Sequence, residues 1–362
     1  MPNTPRESKP STLRDRDIFQ DKEGRTFVAL GYIQPQDRVL SFLKYLPDPK
    51  GGWSSRGVRY KRVFWGGVDS VAEGVSLLPE DYTFFDAHFN TELIEPPRSS
   101  IFQYYSPEAR LGEILTDGPQ DQLEERIKRV AEALHDRLGI PFGDVGVAGS
   151  ILWRAHDPDF SDINLNIYGL RNSGLLLASY DQLADSVGFS LRSLPDWVRA
   201  MERVSTRMPV LTEADLRSLF SRRKAVCLDG QCIGITPVLR TEEAPIQHSA
   251  ESYETILEEP LRIRATIEDD VFGLFTPALY SINSAGNDDT LGRGVNRILA
   301  YDGAFSGLFM TGDSVEVSGT LQVVRSYEGE IIGHQLMVGT KAGSGQEYIR
   351  FCDDVHHTNK QL

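Results

Sequence analysis

The sequence predicts an α+β fold, a mixed sheet with helices followed by a barrel-like antiparallel β-domain, and three observations point there. A helical stretch starts near Asp121, with Leu123, Ile127, Val130, Leu134 and Leu138 at helical spacing and Gly139 and Pro141 to end it. A short apolar strand, Val145-Gly146-Val147-Ala148, breaks at Gly149-Ser150, and a second strand with period-two alternation begins at Asp162. Beyond Pro260 the segments LRIRATI, VFGLFTPALYSI, VEVSGTLQVV and IIGHQLMVG alternate as strands of a small sheet or barrel do.

In chain order, residues 1–16 read as a disordered leader, rich in Pro, Ser and charge. Residues 17–105 read as a strand-rich segment, 106–245 as the central core, and 246–362 as the C-terminal β-domain with a polar tail. Strands are expected at Thr26–Tyr32 and Val39–Leu46, with turns at Pro35 and over 47–52. Arg56, Arg59, Lys61 and Arg62 then interleave with Trp53, Tyr60 and Trp65. That pattern suits a hairpin with one basic solvated face and one aromatic core face, or a stacking groove for single-stranded nucleic acid. Thr212 to Asp215 forms a capping box ahead of LRSLF. Asp229-Gly230 marks a hairpin between two strands spanning Cys227 to Leu239. The acidic stretch 241–259 reads as a linker or an exposed helix.

Composition narrows the function. The chain has 362 residues, enough to bury a large core without staples, and a formal net charge of −14. An acidic surface works against a dedicated duplex-DNA binder, although a local basic cleft can still hold phosphates. Three cysteines, Cys227, Cys232 and Cys352, with no CxxC, read as free thiols of a reducing compartment. The N-terminus carries no apolar signal region, and no run approaches a membrane span, so a soluble cytoplasmic protein with no membrane partner is expected. Walker A, HExxH, EF-hand and GxSxG patterns are absent, which also removes Ser150 as a hydrolase nucleophile. Gly292-Arg293-Gly294 reads as a loop, and His356-His357 as part of the polar tail.

The informative block is Gly149 to Gly169, GSILWRAHDPDFSDINLNIYG. In its strand Asp162, Asn164 and Asn166 share one face, while Ile163, Leu165 and Ile167 share the other and can enter a core. The polar face would look into the space above the Gly-Ser turn. Glycine lets backbone approach a phosphate, and serine can donate to its oxygens. A carboxylate two positions from a second oxygen ligand can share Mg²⁺ with substrate phosphates.

Gly-Ser, about ten residues, then Asp-hydrophobic-Asp in a strand is the signature of the DNA polymerase beta-type nucleotidyltransferase superfamily, which this block resembles. The chain as a whole resembles an uncharacterised, archaeal-type family of predicted nucleotidyltransferases, through GYIQPQDRVLSFLKYLPDP, SDINLNIYG and the strand-rich last third. The resemblance implies a magnesium-dependent transferase moving a nucleoside monophosphate from an NTP to a hydroxyl, on nucleic acid or a small molecule. It implies that Gly149 and Ser150 bind the nucleotide and that Asp162 is a catalytic metal ligand. The second metal carboxylate belongs at position 164, which is Asn164 here, one negative charge fewer. A third acidic residue belongs on a later strand; Asp229 is a candidate, though its Leu-Asp-Gly-Gln setting also fits a plain turn. Asp157 and Asp159 could supply compensating charge. Two alternatives stand beside the transferase: a nucleotide-binding regulatory protein that has lost the chemistry, and a nucleic-acid-binding module built on the C-terminal strands and the Arg56–Arg62 segment.

Overall fold

The computed structural model describes residues 10–257, 259–284 and 294–352; residues 1–9, Gly292-Arg293 and His356-His357 lie outside these. The N-terminal third contains β1 (Ile18–Gln20), β2 (Thr26–Ala29), β3 (Ser41–Pro47), β4 (Trp53–Ser55), β5 (Val58–Arg62), α1 (Gly67–Val75), β6 (Thr83–Asp86), β7 (Thr91–Ile94) and β8 (Gln103–Tyr105). Six of these strands form one antiparallel sheet in the order β4-β5-β3-β2-β1-β8. Alternation buries both of its faces. Ile18, Val28, Phe42 and Tyr45 join the central core, while Phe19, Phe27, Ala29 and Leu43 pack with Tyr82 and Ile94. The expected hairpin is β4–β5, and Tyr60 is its buried aromatic.

The expectation of a disordered leader is corrected for residues 13–16. Leu13 and Asp15 are buried, and the Asp15 carboxylate accepts the Gly31 amide at 2.7 Å. Arg14 pairs with Glu108 at 2.6 Å and lays its guanidinium 3.9 Å from the Tyr168 ring centroid. The two polar partners lie 16 and 94 residues further along the chain, so local composition carries no trace of them.

The core follows with α2 (Pro107–Asp117), α3 (Gln122–Leu138), β9 (Val145–Val147), α4 (Gly149–Leu152), β10 (Ile163–Tyr168), α5 (Leu170–Ala178), α6 (Tyr180–Ala184), β11 (Phe189–Leu191), α7 (Val198–Arg207), α8 (Glu213–Arg222), β12 (Val226–Leu228) and β13 (Gln231–Val238). Asp121 caps α3 by accepting from the amides of Leu123 and Glu124, and Gly139 ends it in the left-handed conformation. The five-stranded sheet runs β11-β12-β13-β10-β9, with β10 parallel to β13 and antiparallel to β9. Ile163, Leu165 and Ile167 are fully buried beneath α3, whose Ile127 and Val130 are also fully buried. Ile127→Ala should therefore cost about 2–5 kcal/mol and lower the urea unfolding midpoint measured by circular dichroism.

The cysteine expectation is half corrected. Cys227 and Cys232 are register partners across the β12–β13 hairpin and are joined by a disulfide, whereas Cys352 is free.

The last third holds β14 (Glu251–Thr255), β15 (Leu261–Asp269), β16 (Ala278–Asn283), β17 (Val295–Ala300), β18 (Ser314–Ser326), β19 (Ile331–Val338) and β20 (Tyr348–Phe351). Here β14 replaces the expected linker or helix, pairing with β18. The sheet curls because β18 pairs with β15 along its first half and β19 along its second, while β16 and β17 complete the circuit of pairings. It is not wholly antiparallel, as expected from alternation, because β17 and β19 run parallel. Although they precede residue 246, α7, its C-cap Met208 and α8 give Val204, Met208, Leu216, Leu219 and Phe220 to this barrel's core. Among the described residues no helix is long and apolar enough to cross a membrane.

Candidate functional site

A cavity of about 320 Å³ opens where the N-terminal sheet faces β10. From the core come Gly149, Ser150, Phe160, Ser161, Asp162, Asn164, Asn166 and, on β13, Thr236. The structure thus brings together all four residues the sequence singles out as its site. Gly149 has φ +66, and a side chain there would meet the Asn164 amide at 3.3 Å. Gly234 is equally constrained, since a Cβ would lie 2.4 Å from Asn164 Oδ1. Two glycines therefore clasp Asn164 between β13 and the Gly-Ser turn. Deeper in the strand Asn166 is fully buried, and its Oδ1 has no hydrogen-bond partner among the described residues, while its Nδ2 donates to the Tyr168 hydroxyl at 3.3 Å. A buried carbonyl oxygen without a partner costs roughly 1–3 kcal/mol, a cost that a bound donor would relieve.

Sequence reasoning reached part of the opposite wall, Arg62 and Trp53 of the basic and aromatic segment, but missed Arg16 and Lys44. Arg16, Lys44 and Arg62, from the chain before β1, from β3 and from β5, also line the cavity. Nothing in the local pattern of Arg16 and Lys44 announces them, and sheet pairing is what brings all three basic side chains to the cavity that Asp162 lines. Arg16 holds a left-handed φ of +69 and donates its amide to the Ala29 carbonyl at 3.0 Å, which fixes the backbone entering β1. Burial lowers the Lys44 pKa to about 7, the positive charges of Arg62 and Arg16 push in the same direction, and Asp162 opposes them.

Among the described lining residues Asp162 is the sole carboxylate. Asp229 sits in the β12–β13 turn, bound to Arg129, and Asp157 closes its own loop by accepting the Asp159 amide at 3.0 Å; none of the three acids lines the cavity. The neighbour of β10 in register, β13, reads QCIGITPV and carries no acid, with Thr236 opposite Asn166. The residues present do not fit a pair of Mg²⁺ ions. One carboxylate and a clasped amide, facing two arginines and a lysine, offer too little negative charge to hold two divalent ions.

A second acidic cluster, Asp121, Glu124 and His156, has ligand atoms within 4.8 Å of one another. Its groups already have internal partners. Asp121 caps α3 and bonds His156 Nε2 at 2.7 Å, and Glu124 pairs with buried Arg110 while accepting the Gln120 amide at 2.9 Å. The cluster ties the loop after α4 to the start of α3.

Comparison with known proteins adds a likeness of sequence. The chain is 22% identical over 351 residues, covering 93% of this chain and 98% of the relative, to the "Uncharacterized protein MJ1086" of Methanocaldococcus jannaschii. No family profile matches the chain, and no solved structure does.

Proposed function

We propose that this protein binds a nucleoside triphosphate through its phosphates in the cavity between the N-terminal sheet and β10, and acts as a nucleotide-binding regulatory protein on a nucleotidyltransferase-type scaffold. The observation that carries this reading is the make-up of the lining: two arginines, and a lysine that a bound anion would keep protonated, against one carboxylate. Arg and Lys neutralise phosphate oxygens directly, so binding needs little help from a metal. Gly149 and Ser150 supply close backbone approach and a hydroxyl, and the unpartnered Asn166 oxygen can accept from a sugar hydroxyl. Magnesium-dependent transfer is the second reading, favoured by one observation, Asp162 lining the same cavity as the Gly149-Ser150 turn.

Calorimetric titration of ATP separates the two. The regulatory reading expects binding without Mg²⁺, with Asp162→Ala unchanged or tighter, because that substitution removes a negative charge from beside the phosphates. Binding that requires Mg²⁺ and is lost in Asp162→Ala, with pyrophosphate released when a hydroxyl acceptor is supplied, would replace it with the transferase reading.

A further inference from the structure

We infer that the aromatic side chains of this cavity, Phe160 above all, form the subsite that stacks the base of the bound nucleotide; the inference rests on the nucleotide reading above. Phe160 is 63% exposed, although a phenylalanine is ordinarily driven into a core. It lies in the loop just before Asp162 and lines the cavity, so its exposed ring belongs to the site's wall. From the N-terminal sheet, Trp53 lines the same cavity and is braced by neighbours. Its ring centroid is 5.4 Å from that of Tyr45 and 6.3 Å, edge-on, from that of Trp65. The Arg62 guanidinium lies 4.6 Å from the Trp65 ring centroid while it lines the cavity.

The site therefore joins two chemistries, cations for a polyanion and aromatic faces for a flat apolar group. A nucleotide carries both in one molecule, whereas inorganic polyphosphate carries only the first. Stacking on an aromatic face accepts any base, since every base has a π-face.

The test titrates ATP and inorganic tripolyphosphate, calorimetrically, into the full chain and its Phe160→Ala and Phe160→Trp variants. Because Phe160 is exposed, both variants should fold, which circular dichroism checks. ATP affinity should fall at least fivefold in Phe160→Ala and return in Phe160→Trp, with tripolyphosphate unaffected throughout. Unchanged ATP affinity in Phe160→Ala would overturn the inference, as would an equal loss for both ligands. Wild-type binding of tripolyphosphate as tight as that of ATP would overturn it while leaving the phosphate site standing. If neither ligand binds the wild type, the nucleotide reading fails and this one with it.

Discussion

Replacing Lys44 with methionine is expected to weaken ATP binding by roughly 10- to 150-fold, the equivalent of the 1.5–3 kcal/mol that a charge-assisted hydrogen bond contributes. The substitution keeps an apolar, unbranched side chain of similar length on β3 and removes the ammonium. The fold should survive it, because burial already disfavours the charge at this position. The effect should also carry a pH signature. In the free protein Lys44 is protonated below about pH 7 and neutral above it. A bound polyphosphate favours the ammonium, so binding takes up a proton once the pH exceeds 7. Affinity should therefore fall as pH rises from 7 to 9, by up to about tenfold per unit while the bound lysine stays charged. Subtracting the profile of the Lys44→Met variant removes the titration of the phosphates themselves. A wild-type profile parallel to that of the variant would show that Lys44 does not touch the anion. In the absence of ligand the sign is simple: the lowered pKa means the unfolded chain binds more protons, so this residue makes stability rise with pH between 7 and 10.5.

The second large effect belongs to the barrel. Glu347 is 3% exposed, and its carboxylate accepts from the Thr320 amide and hydroxyl, the amides of Gly339 and Thr340 and the Thr340 hydroxyl, at 2.7 to 3.2 Å. One side chain thus satisfies groups on β18 and at the end of β19. Glu347→Ala leaves several buried donors without acceptors and should cost about 4 kcal/mol or more. Glu347→Gln should cost less but not little, since its amide nitrogen faces donors on whichever side it points. Urea unfolding, with hydrogen exchange on β18 as a local reporter, measures both. A loss under about 1 kcal/mol for Glu347→Ala would mean that water takes over these bonds.

Much of the central block could be read from residues alone, because its signals are local. Period two separated the buried Ile163, Leu165 and Ile167 from the Asp162, Asn164 and Asn166 face, and helical spacing with a cap and a glycine defined α3. The same holds for the Thr212–Asp215 capping box and the Asp229-Gly230 turn. What could not be read depends on pairing between distant segments. The parallel β17–β19 contact, the strand hidden in the acidic stretch at Glu251–Thr255, and the packing of α7 and α8 onto the barrel all come from long-range geometry. Half the candidate site was hidden for the same reason. Arg16 sits in a polar stretch that composition marks as a leader, and Lys44 looks like one solvated position in an amphipathic strand.

The cavity is a seam. Its positive charges come from the N-terminal sheet and the chain entering it, its carboxylate, amides and glycine turn from the central block, and among the described residues no strand pairing joins the two sheets. A polyanion seated there acts as mortar between separately built walls, touching both at once. Fragment 106–245 would keep the Gly-Ser turn yet present no cation from Arg16, Lys44 or Arg62. Occupancy thus becomes a property of assembly: loosening the N-terminal sheet releases the guest, and the guest in turn resists the loosening. Under the proposed nucleotide reading, such reciprocity would give the ligand a mechanical grip on the chain.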